Sequence, residues 1–545
     1  MHRLAICVIV LALHAAAQLQ VAKASPGYHI SGTAVNSITG VALSKATVSI
    51  GAAEGGPTLT AVTASDGRFT FEKLKPGKYW LEAEGRGFSA QRFDQHEEFS
   101  TGIAVGPEVD SEHLVFRIKP DATITGIVTD DQNEPVVQAN VMLFRTGLED
   151  GANSTRMHAQ TNTDDRGCYH FGHVPPGGYY IVVSAHPWYA VNGVRFRRYS
   201  SIARSNGGAL QNPEHQNPEF DVTYPMTYYP SVTDPADATP IMAKPGDRLE
   251  ADLELTAVPS LHVRVKDSSL DSAQAIGIGA QEKLFGGVSI PVPMTVNGLG
   301  HGEFDVAGVS PGQFEFNLQS GGTTPSNREE EVNVSDNSEI DLSSASTPAS
   351  VSGIVQLDSG ARVTNPGFVQ LFNRASGNRF NAQVSAQGEF EFSGNNIVPG
   401  KYQVLIGGVP EGLVESISAS GASVIGRELD IASGASVQLK IVVSHGSGRV
   451  DGTAMREGRP FATAMIVLVP QDIAHDSTLV RRDQSDSDGT FTLYNVLPGK
   501  YTVVAIQNGW DLPWMSSGVL QPYLKAGAVV TVVPHGKYKI QVNVQ

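Results

Sequence analysis

Residues 65–79 read SDGRFTFEKLKPGKY, and this stretch decides the fold because the chain repeats it. The same order of residues returns as DRGCYHFGHVPPGGY at 165–179 and as SDGTFTLYNVLPGKY at 487–501. Two less regular copies read GEFDVAGVSPGQF at 302–314 and GEFEFSGNNIVPGKY at 388–402. A motif that returns along a chain of 545 residues predicts a tandem array of about five similar domains.

Each copy of the motif predicts two strands joined by turns. Phe69 and Phe71 alternate with polar residues, so they face the same side of a strand. Asp66-Gly67 is a turn signal before that strand, since glycine supplies the positive φ that tight turns need. Pro76-Gly77 forms a second turn, and Tyr79 begins the next strand.

Other strand patterns surround the motif at constant distances. Gly32, Gly126, Gly353 and Gly452 open four units, and they precede the motif glycine by 35, 41, 35 and 37 residues. A second apolar strand follows each opening segment, and an alternating strand closes each unit. About seven short strands per 85–100 residues, without a helical period, predict an all-β array of immunoglobulin-like β-sandwich domains.

The predicted units have boundaries that follow from these patterns. They cover 26–119, 120–259, 260–347, 348–444 and 445–545. The second unit carries an insert at about 187–235, and the third is the most degenerate. Each closing strand leads almost directly into the next opening strand, which favours a rod of consecutive domains.

The N-terminus predicts export. His2 and Arg3 precede an apolar run, and small residues follow it, as in a signal peptide over 1–24 that is cleaved after Ala17 or Ala24. The run is too short to span a bilayer, and no transmembrane segment is expected later. We therefore expect a secreted, periplasmic or cell-surface protein, with Cys168 as the single cysteine of the mature chain.

The charge argues against one class of partner. The chain has 39 Lys+Arg and 55 Asp+Glu, and this net charge of −16 disfavours nucleic-acid binding. Phosphate-binding and dinucleotide motifs are absent, so no cofactor is expected.

The motif order also resembles a known family. The blocks G-x-V, A-x-V-x-L, D-x-G-x-F-x-F and P-G-x-Y over about 90 residues are similar to the carboxypeptidase regulatory-like domain. The resemblance implies a transthyretin-like (prealbumin-like) β-sandwich, related to Cna B-type and starch-binding-like modules, that is exported and not catalytic. It does not imply a ligand, because a fold does not fix a function.

Three patterns could carry chemistry, and each has a simpler explanation. Gly308-Val309-Ser310-Pro311-Gly312 fits a hydrolase nucleophile elbow but falls on a Pro-Gly turn of the repeat. The acidic segment 483–489 hints at calcium, although a solvated turn explains it better. His170 and His173 lie on one strand, where three residues apart means opposite faces. No catalytic or metal-ligating residue is predicted.

Aromatic residues of the insert are the best binding candidates, because aromatic rings stack on sugars. Phe88, Trp188 and Trp510 each follow the motif tyrosine by nine residues, so we assign these three to the fold. The predicted ligand-binding residues are Tyr189, Arg195, Arg197, Arg198, Tyr199, Tyr224, Tyr228 and Tyr229. The alternative is that this loop packs its tyrosines against a neighbouring unit.

The sequence therefore predicts a non-enzymatic exported protein with a binding, adhesion or spacer role at the cell envelope. Carbohydrate is the leading ligand class, and polysaccharides or cell-envelope proteins are the expected partners. The alternatives are a protein that interacts with an outer-membrane receptor or a secreted enzyme, and a hydrolase.

Overall fold

The computed structural model describes most of the chain after the predicted signal peptide. The described residues are 27–107, 109, 111–149, 151–190, 218–266, 275–285, 288–300, 303–320, 326–344, 347–361, 367–374, 376–392, 397–408, 413–444, 446–473, 476–516 and 518–545. The predicted signal peptide and residues 191–217 of the insert lie outside this set. No helix in the described ranges is long and apolar enough to cross a membrane.

The strands fall into five consecutive groups, named units one to five. Unit one has the strands Tyr28–Asn36, Thr47–Ala52, Leu59–Val62, Arg68–Leu74, Gly77–Gly85, Phe88–Arg92, Ile103–Val105 and Leu114–Ile118. Unit two has Ala122–Asp130, Asn140–Glu149, Ala152–Asn162, Cys168–Val174, Gly177–Ser184, Val222–Thr223, Thr227–Tyr228, Ile241–Ala243, Arg248–Glu250, Leu253–Leu255 and Val258–Pro259. Unit three has Leu261–Lys266, Ala275–Leu284, Val288–Pro291, Thr295–Gly300, Glu303–Val309, Gly312–Ser320, Ser326–Val334 and Glu339–Asp341.

Units four and five complete the chain. Unit four has the strands Ser350–Leu357, Phe368–Phe372, Arg379–Gln383, Glu389–Glu391, Gly400–Gly407, Leu413–Ser420, Ser423–Ile425, Glu428–Ile431 and Ser436–Ser444. Unit five has Gly448–Arg456, Arg459–Pro460, Met465–Pro470, Arg481–Gln484, Thr490–Val496, Gly499–Ile506, Ala528–Val532 and Lys537–Asn543. The described helical segments are short: the α-helix Gln521–Leu524 and the 3-10 turns Pro218–Phe220, Leu342–Ser344, Ser477–Leu479 and Gly509–Asp511.

All five units share one topology. The first strand of each unit, the opening strand, pairs antiparallel with the strand that carries the motif aromatics, the motif strand. On its other side it pairs parallel with a late strand of the same unit, the closing strand. The strand after the Pro-Gly turn belongs to a second sheet, and each core draws side chains from both sheets. The predicted all-β array of sandwich domains is confirmed, and unit three conforms despite its degenerate motif.

A glycine in the opening strand makes room for an aromatic ring of the motif strand. In unit five Gly452 is the direct cross-strand partner of Phe491. A Cβ on Gly452 would lie 2.2 Å from Cζ of Phe491, so the ring covers the glycine. In unit four a Cβ on Gly353 would meet both the Phe390 ring and the carbonyl of the closing strand. The glycine that lies 35–41 residues before the motif glycine is therefore explained by its packing contact with an aromatic ring of the motif strand.

The tyrosine after the Pro-Gly turn closes that turn. Its hydroxyl donates a hydrogen bond to the carbonyl four residues earlier in four units. The bonds are Tyr79 to Lys75 (3.1 Å), Tyr179 to Pro175 (2.7 Å), Tyr402 to Val398 (2.5 Å) and Tyr501 to Leu497 (2.9 Å). Unit three has the buried Phe314 at this position and cannot make the bond.

The expectation of a rod is wrong, because unit five packs against unit one. The strand Met465–Pro470 is buried along its whole length, which means that both faces of the sheet are covered. One face belongs to the unit-five core. The other face packs under Trp510, Trp514 and Leu520, with Phe99 of unit one against this cluster. The short linkers between neighbouring units do not prevent this contact. Apolar side chains on the outer face of the unit-five sheet are stabilised when other residues cover them.

Polar contacts fix the two units together. Arg482 of unit five donates to both carboxylate oxygens of Glu97, at 3.2 and 2.8 Å, and its side chain is only 5% exposed. The guanidinium also lies over the rings of Phe99 and Trp514. The fully buried Gln484 donates to the Thr101 hydroxyl at 2.8 Å and to the Asp94 carbonyl at 2.7 Å. Bidentate, nearly buried pairs of this kind specify a geometry strongly.

Units two and three also share an apolar cluster. Phe285 of unit three stacks on Tyr180 with ring centroids 4.5 Å apart and meets the edge of Tyr228 at 5.8 Å. The Tyr228 hydroxyl donates to Oε1 of Glu282 at 3.4 Å. Burial raises the pKa of Glu282 to about 7. The units thus form a contiguous body in which successive and distant units touch.

We expect Gly452→Ala to destabilise unit five by more than about 2 kcal/mol, because the methyl group overlaps a buried ring in a packed core. Hydrogen exchange of the strand Thr490–Val496 in the full chain measures this locally. Replacing Phe491 with Leu in the same chain should recover part of the loss. Gly147→Ala, where the added methyl meets nothing within 4 Å, is the control. Equal effects of the two single substitutions would contradict the contact.

We expect Arg482→Met to open the contact between units one and five. The substitution leaves Glu97 facing an interface without its partner, and breaking a buried pair costs about 3–5 kcal/mol. Small-angle scattering should show a larger radius of gyration at unchanged strand content. Arg459→Met, at an exposed position of the same unit, is the matched control. An unchanged radius for Arg482→Met would show that the apolar cluster alone holds the units together.

Candidate functional site

The predicted insert residues divide into three groups. Arg195, Arg197, Arg198 and Tyr199 lie outside the described residues, so their role stays a prediction. Tyr224 and Tyr228 are 7% and 0% exposed, the first in the core of unit two and the second in the cluster shared with unit three. Burial leaves neither ring free to stack on a ligand. Tyr189 and Tyr229 are partly exposed.

Trp188 is the most exposed large apolar residue of the described chain, at 85%. Its assignment to the fold is wrong, whereas Trp510, at the same distance from the motif tyrosine, is 7% exposed and packs as expected. The local backbone differs at the two rings. Trp510 lies in the 3-10 turn Gly509–Asp511 and packs in the cluster on the outer face of the sheet. Trp188 follows Pro187 and lies in no such 3-10 turn.

Three aromatic rings form one surface, here called the aromatic platform, of Trp188, Tyr189 and Phe220. Trp188 and Tyr189 meet edge to face with centroids 5.8 Å apart, and Tyr189 meets Phe220 at 6.4 Å. Phe220 is 43% exposed. The platform flanks both ends of the segment 191–217. It therefore joins the predicted Tyr189 to Phe220, another aromatic residue of the insert, and to Trp188, which the sequence pattern had assigned to the fold.

Acidic residues border the platform. Burial raises the pKa of Tyr189, and the charges of Asp131 and Asp130 raise it further. The same turn of unit two also affects Tyr224. Burial raises the pKa of Tyr224, and the charges of Tyr189, Asp130, Asp131 and Glu134 raise it further. Asp130 accepts from the backbone N–H groups of Gln132 and Glu134 and so shapes its turn. Asp131 is exposed, so its carboxylate is open to solvent near the Tyr189 ring.

A histidine fixes the segment that carries Phe220. The next residue, Asp221, accepts from Nε2 of His262 at 2.8 Å, and Asp305 accepts from Nδ1 at 3.3 Å. An imidazole that donates from both ring nitrogens carries a positive charge. The strand Val222–Thr223 then pairs with Val258–Pro259. These contacts connect the platform to the first strand of unit three.

We expect this anchor to weaken at alkaline pH. The hydrogen bond to Asp305, and then the bond and charge of Asp221, raise the pKa of His262 to about 9 from 6.5. A raised histidine pKa stabilises the folded state fully below pH 6.5, and the contribution is lost as the pH rises through 9. The difference in melting temperature between the native chain and His262→Gln should therefore shrink between pH 6.5 and 9.5. A difference that stays constant would contradict the anchor.

The other sequence candidates have structural roles. Ser310 is 6% exposed in a turn between the strands Glu303–Val309 and Gly312–Ser320, whereas a nucleophile elbow leads from a strand into a helix. In the acidic segment, Asp486 accepts from the N–H of Gly102 at 2.9 Å and pairs with Lys78. The segment is thus part of the contact with unit one rather than a solvated turn. Within the described ranges, no three His, Cys, Asp or Glu residues are grouped to hold a metal ion.

Comparisons with solved structures give bacterial pilins at low similarity. A streptococcal ancillary pilin has 13% identity and a TM-score of 0.19, over 52% of this chain and 98% of the pilin. The minor pilin of Streptococcus agalactiae has 13% identity and a TM-score of 0.21, over 43% of this chain and 97% of the pilin. The major pilin subunit of Bacillus cereus has 9% identity and a TM-score of 0.15, over 76% of this chain and 99% of the pilin.

The comparison with curated proteins gives no match. A family model does match the beginning of the chain, in two consecutive segments. The matched residues are 29–111 and 123–211, and they cover most of unit one and about the first two thirds of unit two. Each match contains one copy of the motif and its glycine-aromatic contact. Units one and two are therefore similar to the carboxypeptidase regulatory-like domain, as the motif order predicts.

Proposed function

We propose that this chain is a non-enzymatic exported protein that binds polysaccharide through the aromatic platform of unit two. The observation that carries the proposal is Trp188, a tryptophan with 85% of its surface exposed in a chain that buries the equivalent Trp510. Exposing an indole ring to water is unfavourable, so a tryptophan that the described part of the chain leaves uncovered marks a surface for a partner.

The chemistry around the ring favours a saccharide among possible partners. Sugar rings present C–H faces that pack on aromatic rings and hydroxyl groups that donate to carboxylates. The platform offers both: three rings that meet pairwise through Tyr189, with the exposed Asp131 near enough for its charge to act on Tyr189. Edge-to-face rings also present surfaces in more than one orientation, which suits a chain of sugar units rather than a flat molecule.

The architecture supports a binding role over a spacer role. A spacer needs length, and the chain instead packs unit five onto unit one through Arg482 and Gln484. The platform belongs to unit two, and contacts between units hold unit two, like the other units, in one contiguous body. Arg195, Arg197, Arg198 and Tyr199 lie outside the described residues, and their part in binding stays a prediction.

We expect Trp188→Ala to reduce retention on an insoluble polysaccharide at least tenfold. Loss of one stacking ring removes its dispersion and apolar contact with the sugar, which is worth about 1.4 kcal/mol of binding free energy. A loss of this size weakens binding by a factor of about ten. Pulldown of residues 25–545 across a set of insoluble polysaccharides, followed by binding isotherms on the best one, measures this. Deleting 187–235 is a less specific test, because it also removes the buried Tyr228.

The matched control is Tyr494→Ala, which removes an aromatic ring with 57% exposure from unit five. It should leave retention unchanged. Equal retention of the native chain and Trp188→Ala would contradict the proposal, as would the absence of retention on every polysaccharide tested.

A further inference from the structure

A polar cleft of about 420 Å³ lies where unit one meets unit two, at a distance along the chain from the aromatic platform. The lining side chains are those of Lys45, Thr47, Glu84, Arg86, Phe88, Ser89 and His173, with the backbone of Gly85. A volume of this size lies within the range of small-molecule sites. Seven of the eight lining residues belong to unit one, and His173 closes the cleft from unit two.

The cleft concentrates positive charge on an acidic protein. Lys45 and Arg86 line the cleft with one lining carboxylate, that of Glu84, although the chain as a whole has a net charge of −16. Lys45 and Arg86 are exposed, and neither forms a side-chain hydrogen bond or ion pair with another described residue. Two cations held at one cleft without anionic partners attract an anion from solution.

The repeats show that the Lys45 charge is not required by the fold. Lys45 has a positive φ of 61°, and its backbone N–H donates to the Thr63 carbonyl. Gln138 of unit two has φ 60° and donates to Thr163 in the same way. The turn therefore works with a neutral residue, and the lysine is particular to the cleft.

The junction holds the cleft in shape. Asp121, in the segment that joins the two units, accepts from the N–H and the hydroxyl of Ser89, at 3.1 and 3.0 Å. The same carboxylate pairs with Nδ1 of His173 at 2.8 Å, and its side chain is 6% exposed. One nearly buried carboxylate thus binds both walls of the cleft. A site whose walls are already in place loses less free energy when a ligand binds.

The remaining lining residues indicate the kind of anion. The Thr47 and Ser89 hydroxyls and the Glu84 carboxylate can exchange hydrogen bonds with hydroxyl groups. The Phe88 ring adds an apolar surface for the face of a small ring. A carboxylate between Lys45 and Arg86, attached to a ring that carries hydroxyl groups, would use all of these features.

We propose that this cleft binds an acidic saccharide, a sugar unit that carries a carboxylate. The carboxylate pairs with Lys45 and Arg86, and the sugar hydroxyls meet Glu84 and the two hydroxyl side chains. This site is separate from the aromatic platform, so its test does not depend on the function proposed above. A ligand in the cleft also touches both units and would stiffen their junction.

The test is calorimetric titration of the mature chain with a trisaccharide of galacturonic acid, beside the neutral galactose trisaccharide. We expect the acidic probe to bind at least tenfold more tightly, with an affinity that falls as salt rises. The double variant Lys45→Gln with Arg86→Gln should weaken the acidic probe at least tenfold. We expect the turn at residue 45 to fold normally in this variant, because Gln138 occupies the equivalent turn in unit two.

Two controls locate the effect. Lys500→Gln removes an exposed lysine of unit five, and Trp188→Ala removes the platform tryptophan. Both should leave the affinity for the acidic probe unchanged. Failure of the acidic probe to bind, or equal binding by the native chain and the double variant, would overturn the proposal. Displacement of the probe by inorganic phosphate at equal concentration would overturn it too, since the cleft would then recognise charge without the sugar.

Discussion

Each regular unit of this protein depends on the contact between one glycine and one aromatic ring. In unit one the ring of Phe69 lies over Gly32, and the carbonyl of Leu114 from the closing strand approaches the same glycine. Three strands are thereby held at one point, because any larger residue would push two of them away. Gly126 in unit two is covered in the same way by Tyr169 and the carbonyl of Ala251. In units one, two and four this glycine marks the point where the three strands approach one another most closely.

Unit three shows what happens when the glycine is lost. Val265, which is buried, takes its place opposite Phe304, and that ring is only partly buried. The strand pairing nevertheless keeps the same order as in the other units. The alternation of apolar residues and the turn signals are therefore sufficient for the topology. In the other four units the glycine-ring contact adds packing, and the similar spacing of its residues makes their motifs easier to recognise in the sequence.

The strands and their order were predictable because they follow from local periodicity and turn chemistry, as at Phe69, Phe71 and Gly67. The contacts between units were not, since they depend on which outer sheet faces need a cover. The run Met465–Pro470 did contain a signal, because an uninterrupted apolar strand implies burial on both faces. For the candidate site, spacing alone placed Trp188 with Trp510. The preceding Pro187, where Trp510 follows Gly509, is a local difference between the exposed ring and the buried one.

The contact between units one and five also bears on how this body responds to force. A pull applied across the chain loads the contact of Arg482 and Gln484 with unit one before it stretches the short connections between neighbours. When that contact yields, each sandwich can stay folded, since its own core is complete without the contact. The protein would then lengthen by rearranging whole domains, and reclosure would restore the contact between units one and five. This contact would thus be the first part of the five-domain chain to yield under tension.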